Sequence, residues 1–289
     1  MAYLVRRHHV SERRVCRLLG QHRSTQRYAA IVPGDEARLL TAMNALVVAH
    51  PRWGYRTICT LLRNDGWAVN SKRIERLWRL EGHRVPPSKT KQSGRKAQGS
   101  GENSSVRRPA LGAHHIWSYD FVSARVRRGG SVRILNVVDE YTRLSLGSLV
   151  ARSIGAGAVV GHLTDLMEQW GTPTAIRSDN GREFIAATVV KWLLERGVEP
   201  VFIEKASPQQ NPYVERFNGT MRRELLNTEE FRNLLEARVV IGDWVDEYNT
   251  VRPHRGLAGK TPTAFATAAK RAAIESSGQT DSGRKERGR

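Results

Sequence analysis

The sequence predicts an α/β layer fold preceded by a small all-α domain, and three observations carry that prediction. Three strand-like runs between 116 and 150 are followed by alternating helix and strand to about residue 204, the order of elements that builds a sheet covered by helices. Two amphipathic helices with a glycine stop between them occupy the region before residue 84. Between these regions lies a stretch of Ser, Gly, Pro and basic residues without periodicity, the composition of a linker.

The elements follow in order. Residues 10–28 read as a helix, a turn at Gly20 and a second helix capped near Ser24, half of a helix-turn-helix. GYRTICTLLRNDG places Ile58, Leu61 and Leu62 at helical spacing and stops at Gly66; VNSKRIERLWRLEG then starts behind Asn70 or Ser71. In it Ile74, Leu77 and Trp78 form the apolar stripe, which leaves Lys72, Arg73, Arg76 and Arg79 to solvent. Such a second helix suits a DNA groove; the plainer reading is a helical pair that only packs on a neighbour. From 84 to 110, Arg84, Lys89, Lys91, Arg95, Lys96, Arg107 and Arg108 face a single acid, Glu102.

IWSYDFVSARV, VRILNVVD and RLSLGSLV read as strands, the first two joined by the hairpin signal RRGGS. A helix over about 156–170, a strand at TAIRSDN, a helix through FIAATVVKWLLERG and a strand at EPVFIE follow. Asn211 as cap with Pro212 at the first helical position starts the next helix, because a start at SPQQ would leave Pro212 inside and forfeit a hydrogen bond. Another helix spans about 229–249, and RPHRGLAGKTP closes the ordered part.

The formal charge of +19 and a pI near 10.8 are spread along the chain. That balance suits a polyanion, since each phosphate neutralised releases counterions. No apolar run reaches membrane-spanning length and no signal peptide opens the chain, so a cytoplasmic protein is expected, with Cys16 and Cys59 reduced. Three acids stand out against this basic background. Asp120 lies inside the first strand, on the face opposite Trp117, Tyr119 and Phe121. Asp179 ends a later strand, where α/β sheets present ligands. Glu215 lies one turn into the helix begun at Asn211, with Asn218 and Arg222 on its face. Carboxylates alone form a hard-oxygen site suited to Mg²⁺ or Mn²⁺, and a pair of such ions serves phosphodiester displacement. Taken singly, Glu215 equally suits a helix-terminus acid.

The motifs WSYDFV, RSDNGREF and NPYVERFNG, with 35 residues between Asp179 and Glu215, resemble the DDE integrase core of retroviral integrases and bacterial insertion-sequence transposases. NVVDEYTR, ERFNGTMRRELLN, WVDEYNTVRPHRGL and KTPTAF narrow the resemblance to the second-frame product (OrfB) of the IS-three family, and GYRTICTLLRNDGWAVNSKRIERLW resembles the domain that precedes that core. The similarity covers roughly residues 10–266. It implies a ribonuclease H-like core with a mixed five-stranded sheet and flanking helices. It also implies a transposase that cuts element ends and joins them to DNA, with Asp120, Asp179 and Glu215 as catalytic ligands of two Mg²⁺ ions and Mn²⁺ as a substitute. Arg222 and Asn218 then face the DNA end, and Lys72, Arg73 and Arg76 contact duplex DNA. Asp139 in NVVDEYTR is a structural acid. Lys205-Ala206 and Pro212 stand where family members commonly carry Pro-Gly and Gly, a change that stiffens the loop before Glu215.

The expected domains are a helix-turn-helix-like region over 1–83, a flexible basic linker over 84–110, the catalytic core with its C-terminal helices over 111–268, and a disordered basic tail over 269–289. The expected partners are double-stranded DNA at element ends and target, a homo-multimer at synapsis, and an upstream-frame helix-turn-helix protein. The expected location is the cytoplasm, on the nucleoid. Two rivals stay open: a catalytically incompetent partial transposase that binds or inhibits at element ends, and a cellular nuclease that cuts without joining.

Overall fold

The computed structural model describes residues 2–28, 33–85, 108–128, 130–179, 181, 186–203 and 210–282, residue 2 and those after 275 by backbone alone. Its contacts define two compact units, Met1–Ala49 and His50–Arg289, and the expected 1–83 helical region falls across that division.

The first unit holds α1 (Ala2–His8), α2 (Glu12–Leu18), α3 (Arg23–Gln26) and α4 (Glu36–Ala49). Ser11 caps α2 with its side chain, and Gly20 makes the expected turn at φ +63°. The cap of α3 is His22, whose Nδ1 accepts from the Ser24 N–H, so Ser24 lies inside the helix. Sequence reading missed α4: its apolar residues are spread around the helix instead of forming a stripe, although Leu39 and Met43 are fully buried.

In the second unit, α5 (Tyr55–Asn64) and α6 (Ser71–Leu80) pack Ile58, Cys59 and Leu62 against Ile74, Leu77 and Trp78. Asn70 is the α6 cap, accepting from the Arg73 N–H at 2.8 Å. Both cysteines are free and buried. Residues 86–107 of the expected linker lie outside the described residues. Near its end Arg108 is anchored: its carbonyl accepts from Arg177, and its guanidinium pairs with Glu199.

The sheet comprises β1 (Ile116–Val126), β2 (Gly130–Asp139), β3 (Ser145–Ala151), β4 (Ala175–Ser178) and β5 (Glu199–Phe202), in the order β3-β2-β1-β4-β5. β1, β2 and β3 pair antiparallel, while β4 and β5 add in parallel. This is the mixed five-stranded, ribonuclease H-like sheet. Pro200 is tolerated because β5 is an edge strand. On one face Trp117 and Tyr119 meet α7 (Ala156–Trp170) and α8 (Ala187–Glu195) through Val159, Leu163, Val189 and Leu193. β3 and α7 approach so closely that a Cβ on Gly147 would lie 2.8 Å from Leu166. On the other face Val122, Ala124 and Val126 carry α9 (Pro212–Met221) and α10 (Leu234–Thr250), with Phe217 set edge-on to Tyr248 at 4.7 Å.

Three boundaries differ from the sequence reading. α9 runs on into a π-helical turn, Arg222–Leu226. α10 starts at Leu234 instead of about 229, because Asn233 caps it and Phe231 is drawn into a bridge with Val126. The expected disordered tail from 269 is instead occupied by α11 (Pro262–Ser282), and only 283–289 lie outside the described residues. Thr261 accepts from the Ala264 N–H, Pro262 opens the helix, and the alanine-rich run that follows has the highest helix propensity available. Among the described residues no helix is long and apolar enough to cross a membrane.

Candidate active site

Three separate elements carry the three acids to one end of the sheet. Asp120 lies in the middle of β1, directly opposite Asn136 of β2. The parallel register with β4 pairs Ser118 with Arg177, and continuing it two residues brings Asp120 beside Asp179. Glu215 lies in the first turn of α9, which packs against both β1 and β2. Pro212 is the first helical residue, as the sequence suggests, but Asn211 caps by position only. Its amide donates to the Tyr119 carbonyl at 3.5 Å, so it ties the helix start to β1.

The electrostatics register this proximity. The Asp120 carboxyl is pushed up to about 6, first by burial and further by the charge of Asp179; the Phe121 N–H, the Asn218 amide and the charge of Arg222 oppose the shift. Glu215 is raised too, by burial and then by the charge of Asp120. Asp120 therefore feels Asp179, and Glu215 feels Asp120, an arrangement that a cation relieves.

Asp120 is held by a chain of four side chains that crosses the sheet. Its Oδ1 accepts from the Phe121 N–H at 2.7 Å and its Oδ2 from Asn218 Nδ2 at 2.9 Å. Asn218 Oδ1 accepts from Asn136 Nδ2 at 2.6 Å, and Asn136 Oδ1 accepts from Ser148 Oγ at 2.6 Å. Ser148 thus orients Asn136, and Asn136 turns the donor end of Asn218 toward the carboxylate. Asp179 Oδ1 accepts from the Gly181 N–H at 2.9 Å. The donors are carboxylate oxygens, the chemistry that a hard divalent cation takes. They are not drawn together as a finished cage: among the described residues no three Asp, Glu, His or Cys side chains are gathered closely enough to share an ion.

The other expected residues are distributed differently. Asn218 and Arg222 reach the acids, the first by a hydrogen bond and the second by its charge. Lys72 and Arg76 line a separate cavity of about 410 Å³ with Glu75 and Arg79, to which none of the three acids contributes. Arg73 is half-buried, less open to solvent than the helical stripe suggests. Lys205 and Ala206 lie outside the described residues. Asp139 is structural as expected: fully buried, it accepts from the His114 N–H, the Thr142 N–H and the Thr142 hydroxyl and so fixes the turn after β2.

Sequence reasoning missed Asn136, whose signal is one amide within the apolar run RILNVVD. It also missed the buried pair of Arg177 and Glu140, 3.2 Å apart. Arg177 donates to the carbonyls of Gln210 and Arg108, Glu140 accepts from Ser118, and so the end of β4 is locked to the start of α9.

Comparison with known proteins identifies the family. Integrase core domain models match residues 110–208 and 196–262, and an HTH-like domain model matches 34–91. The chain is 37% identical over 261 residues to the insertion element IS407 uncharacterized 31.7 kDa protein of Burkholderia multivorans, covering 89% of this chain and 91% of that one. It is 35% identical over 257 residues to the insertion element IS476 uncharacterized 39.2 kDa protein of Xanthomonas euvesicatoria, covering 89% and 72%. This chain belongs to the integrase-core transposases of insertion elements. A third relative, the transposase for insertion sequence element IS904 of Lactococcus lactis, is 26% identical over 74% of this transposase and 87% of its own length. The HTH-like match spans α4, α5 and α6, so it joins the helix that sequence reading missed to the pair that it found.

Proposed function

We propose that this transposase cuts and joins DNA strands with Asp120, Asp179 and Glu215 as the ligands of two Mg²⁺ ions, Mn²⁺ substituting. The observation that carries the reading is the delivery of these acids by β1, the end of β4 and the first turn of α9, where the charge of Asp179 acts on Asp120 and that of Asp120 on Glu215. Bound divalent ions would activate the attacking oxygen and stabilise the leaving oxygen of the phosphodiester. The chain's own residues supply position. Asn218, set by Asn136 and Ser148, holds one oxygen of Asp120; Asn211 and Arg177 fix the start of α9 and therefore Glu215; Arg222 offers positive charge to the DNA end. Lys72, Arg73 and Arg76 on α6 serve as duplex contacts, and synapsis of two element ends calls for more than one copy of the chain, acting with an upstream-frame partner.

The test is a disintegration reaction: full-length protein, a branched oligonucleotide mimicking a joined end, and Mg²⁺ or Mn²⁺. Resolved product from the wild type and none from Glu215→Gln is the expected result. Folded wild-type protein that binds DNA yet yields no product with either metal would replace this reading with that of a DNA-binding regulator.

A further inference from the structure

The VRPHRGL segment after α10, to which the carboxylate chemistry gives no task, lines a cavity of about 960 Å³ together with α9. Five arginines line that cavity, Arg143, Arg216, Arg223, Arg252 and Arg255, against one carboxylate, Glu215. Two of the five are already engaged: Arg252 is bidentate to Glu224, and Arg223 donates to the Thr220 hydroxyl at 3.1 Å.

Arg143 is the informative one. Its backbone is left-handed, at φ +65°, a conformation that a long side chain adopts at a cost. That backbone lays the guanidinium 3.6 Å from the ring centroid of Tyr213, two residues before Glu215. Its Nη1 is buried and has no hydrogen-bond partner among the described residues, and neither has His254 Nε2 in the same cavity. A buried donor without an acceptor is expensive, and here it coincides with backbone strain and an excess of positive charge. What is missing is an anionic oxygen acceptor, and a guanidinium cluster selects phosphate for its geometry as well as its charge.

We infer that this cavity binds the phosphodiester backbone of the DNA, with Arg143, Arg216 and Arg255 as phosphate contacts beside Glu215. The inference rests on the DNA strand-transfer reading and adds to it the path of the strand along the side of α9 that Glu215 shares with Arg216 and Gly219. Gly219 keeps that side low: a Cβ there would meet the Arg223 guanidinium at 3.4 Å.

The experiment measures binding of the full chain to a labelled duplex in EDTA, with one neutral methylphosphonate linkage moved stepwise along each strand. Wild type, Arg143→Gly and Arg255→Gln are compared. Glycine relieves the left-handed strain, so Arg143→Gly should melt no lower than wild type; Arg255 lies on an exposed turn and gives the same test independently. At one linkage or two neighbouring ones, neutralisation should weaken the wild type about fivefold and leave the variants unaffected, and each variant should lower the salt slope by about 0.9. Equal losses in wild type and both variants at every linkage would overturn the inference while leaving the catalytic reading intact. A wild type that binds no DNA would overturn both.

Discussion

Replacing Asp120 with Asn should stabilise the metal-free protein at neutral pH while ending its activity. Burial and the charge of Asp179 hold the Asp120 carboxyl at about 6 instead of its ordinary 3.8. At about 1.4 kcal/mol per pH unit, keeping it ionised in the fold at pH 7 costs ~3 kcal/mol. Asn removes that cost but cannot accept from both Phe121 N–H and Asn218 Nδ2, and one donor left facing another forfeits about 1–2 kcal/mol. The net gain is about 1–2 kcal/mol, or roughly 2–5 °C in melting temperature. The sign follows from the raised folded value: the wild-type penalty is complete above about pH 6 and absent below about 3.8. The variant's advantage should therefore shrink as pH falls through this window and reverse near pH 4, where only the lost hydrogen bond remains. Thermal unfolding in EDTA across that range is the assay, and added Mg²⁺ should raise the melting temperature of the wild type alone. A variant that melts below the wild type at pH 7, by an amount independent of pH, would refute the reasoning.

Other expectations follow from the same contacts. Arg177→Met should cost about 3–5 kcal/mol in chemical unfolding by stranding Glu140, and Arg177→Met with Glu140→Leu should recover most of it; equal losses would deny the coupling. Phe217→Ala, which empties the contact with Trp244 and Tyr248, should cost about 3–5 kcal/mol in the same measurement. Glu224→Gln weakens the bond from Trp53 and the bidentate grip of Arg252 by about 1–3 kcal/mol, so hydrogen exchange should quicken in α5 and leave β1 unchanged. Asn136→Leu frees the Asn218 amide to turn its oxygen toward Asp120, so more Mg²⁺ should be needed for half-maximal strand transfer; an unchanged requirement would reduce Asn136 to a packing residue.

Most of the sheet was legible because its signals are local. Strand alternation placed Asp120 on the α9 face, and the glycine and proline punctuation fixed α5, α6, α7 and the start of α9. What escaped depends on tertiary contact. Nothing local reveals that Ser148, Asn136, Asn218 and Asp120 form one chain, since its links join residues 12, 82 and 98 positions apart. The π-helical turn left no signature in RRELL. In α11 a polar, charged composition outweighed alanine propensity in the sequence reading, and the structure weighs them the other way.

If Asp120 and Glu215 are metal ligands as proposed, the hydrogen bond between Asn218 and Asp120 also sets when the protein can become active. Its partners are 98 residues apart, and no shorter piece of chain contains both a finished β1 and the helix that aligns its acid. Closing such a loop is entropically late in folding, after the β1–β2 hairpin and α7, which form from near neighbours. A chain still being synthesised therefore holds Asp120 in a sheet without the Asn218 amide or Glu215. During refolding from denaturant, recovery of strand transfer should follow the slowest structural phase and lag behind the return of helix and sheet signal.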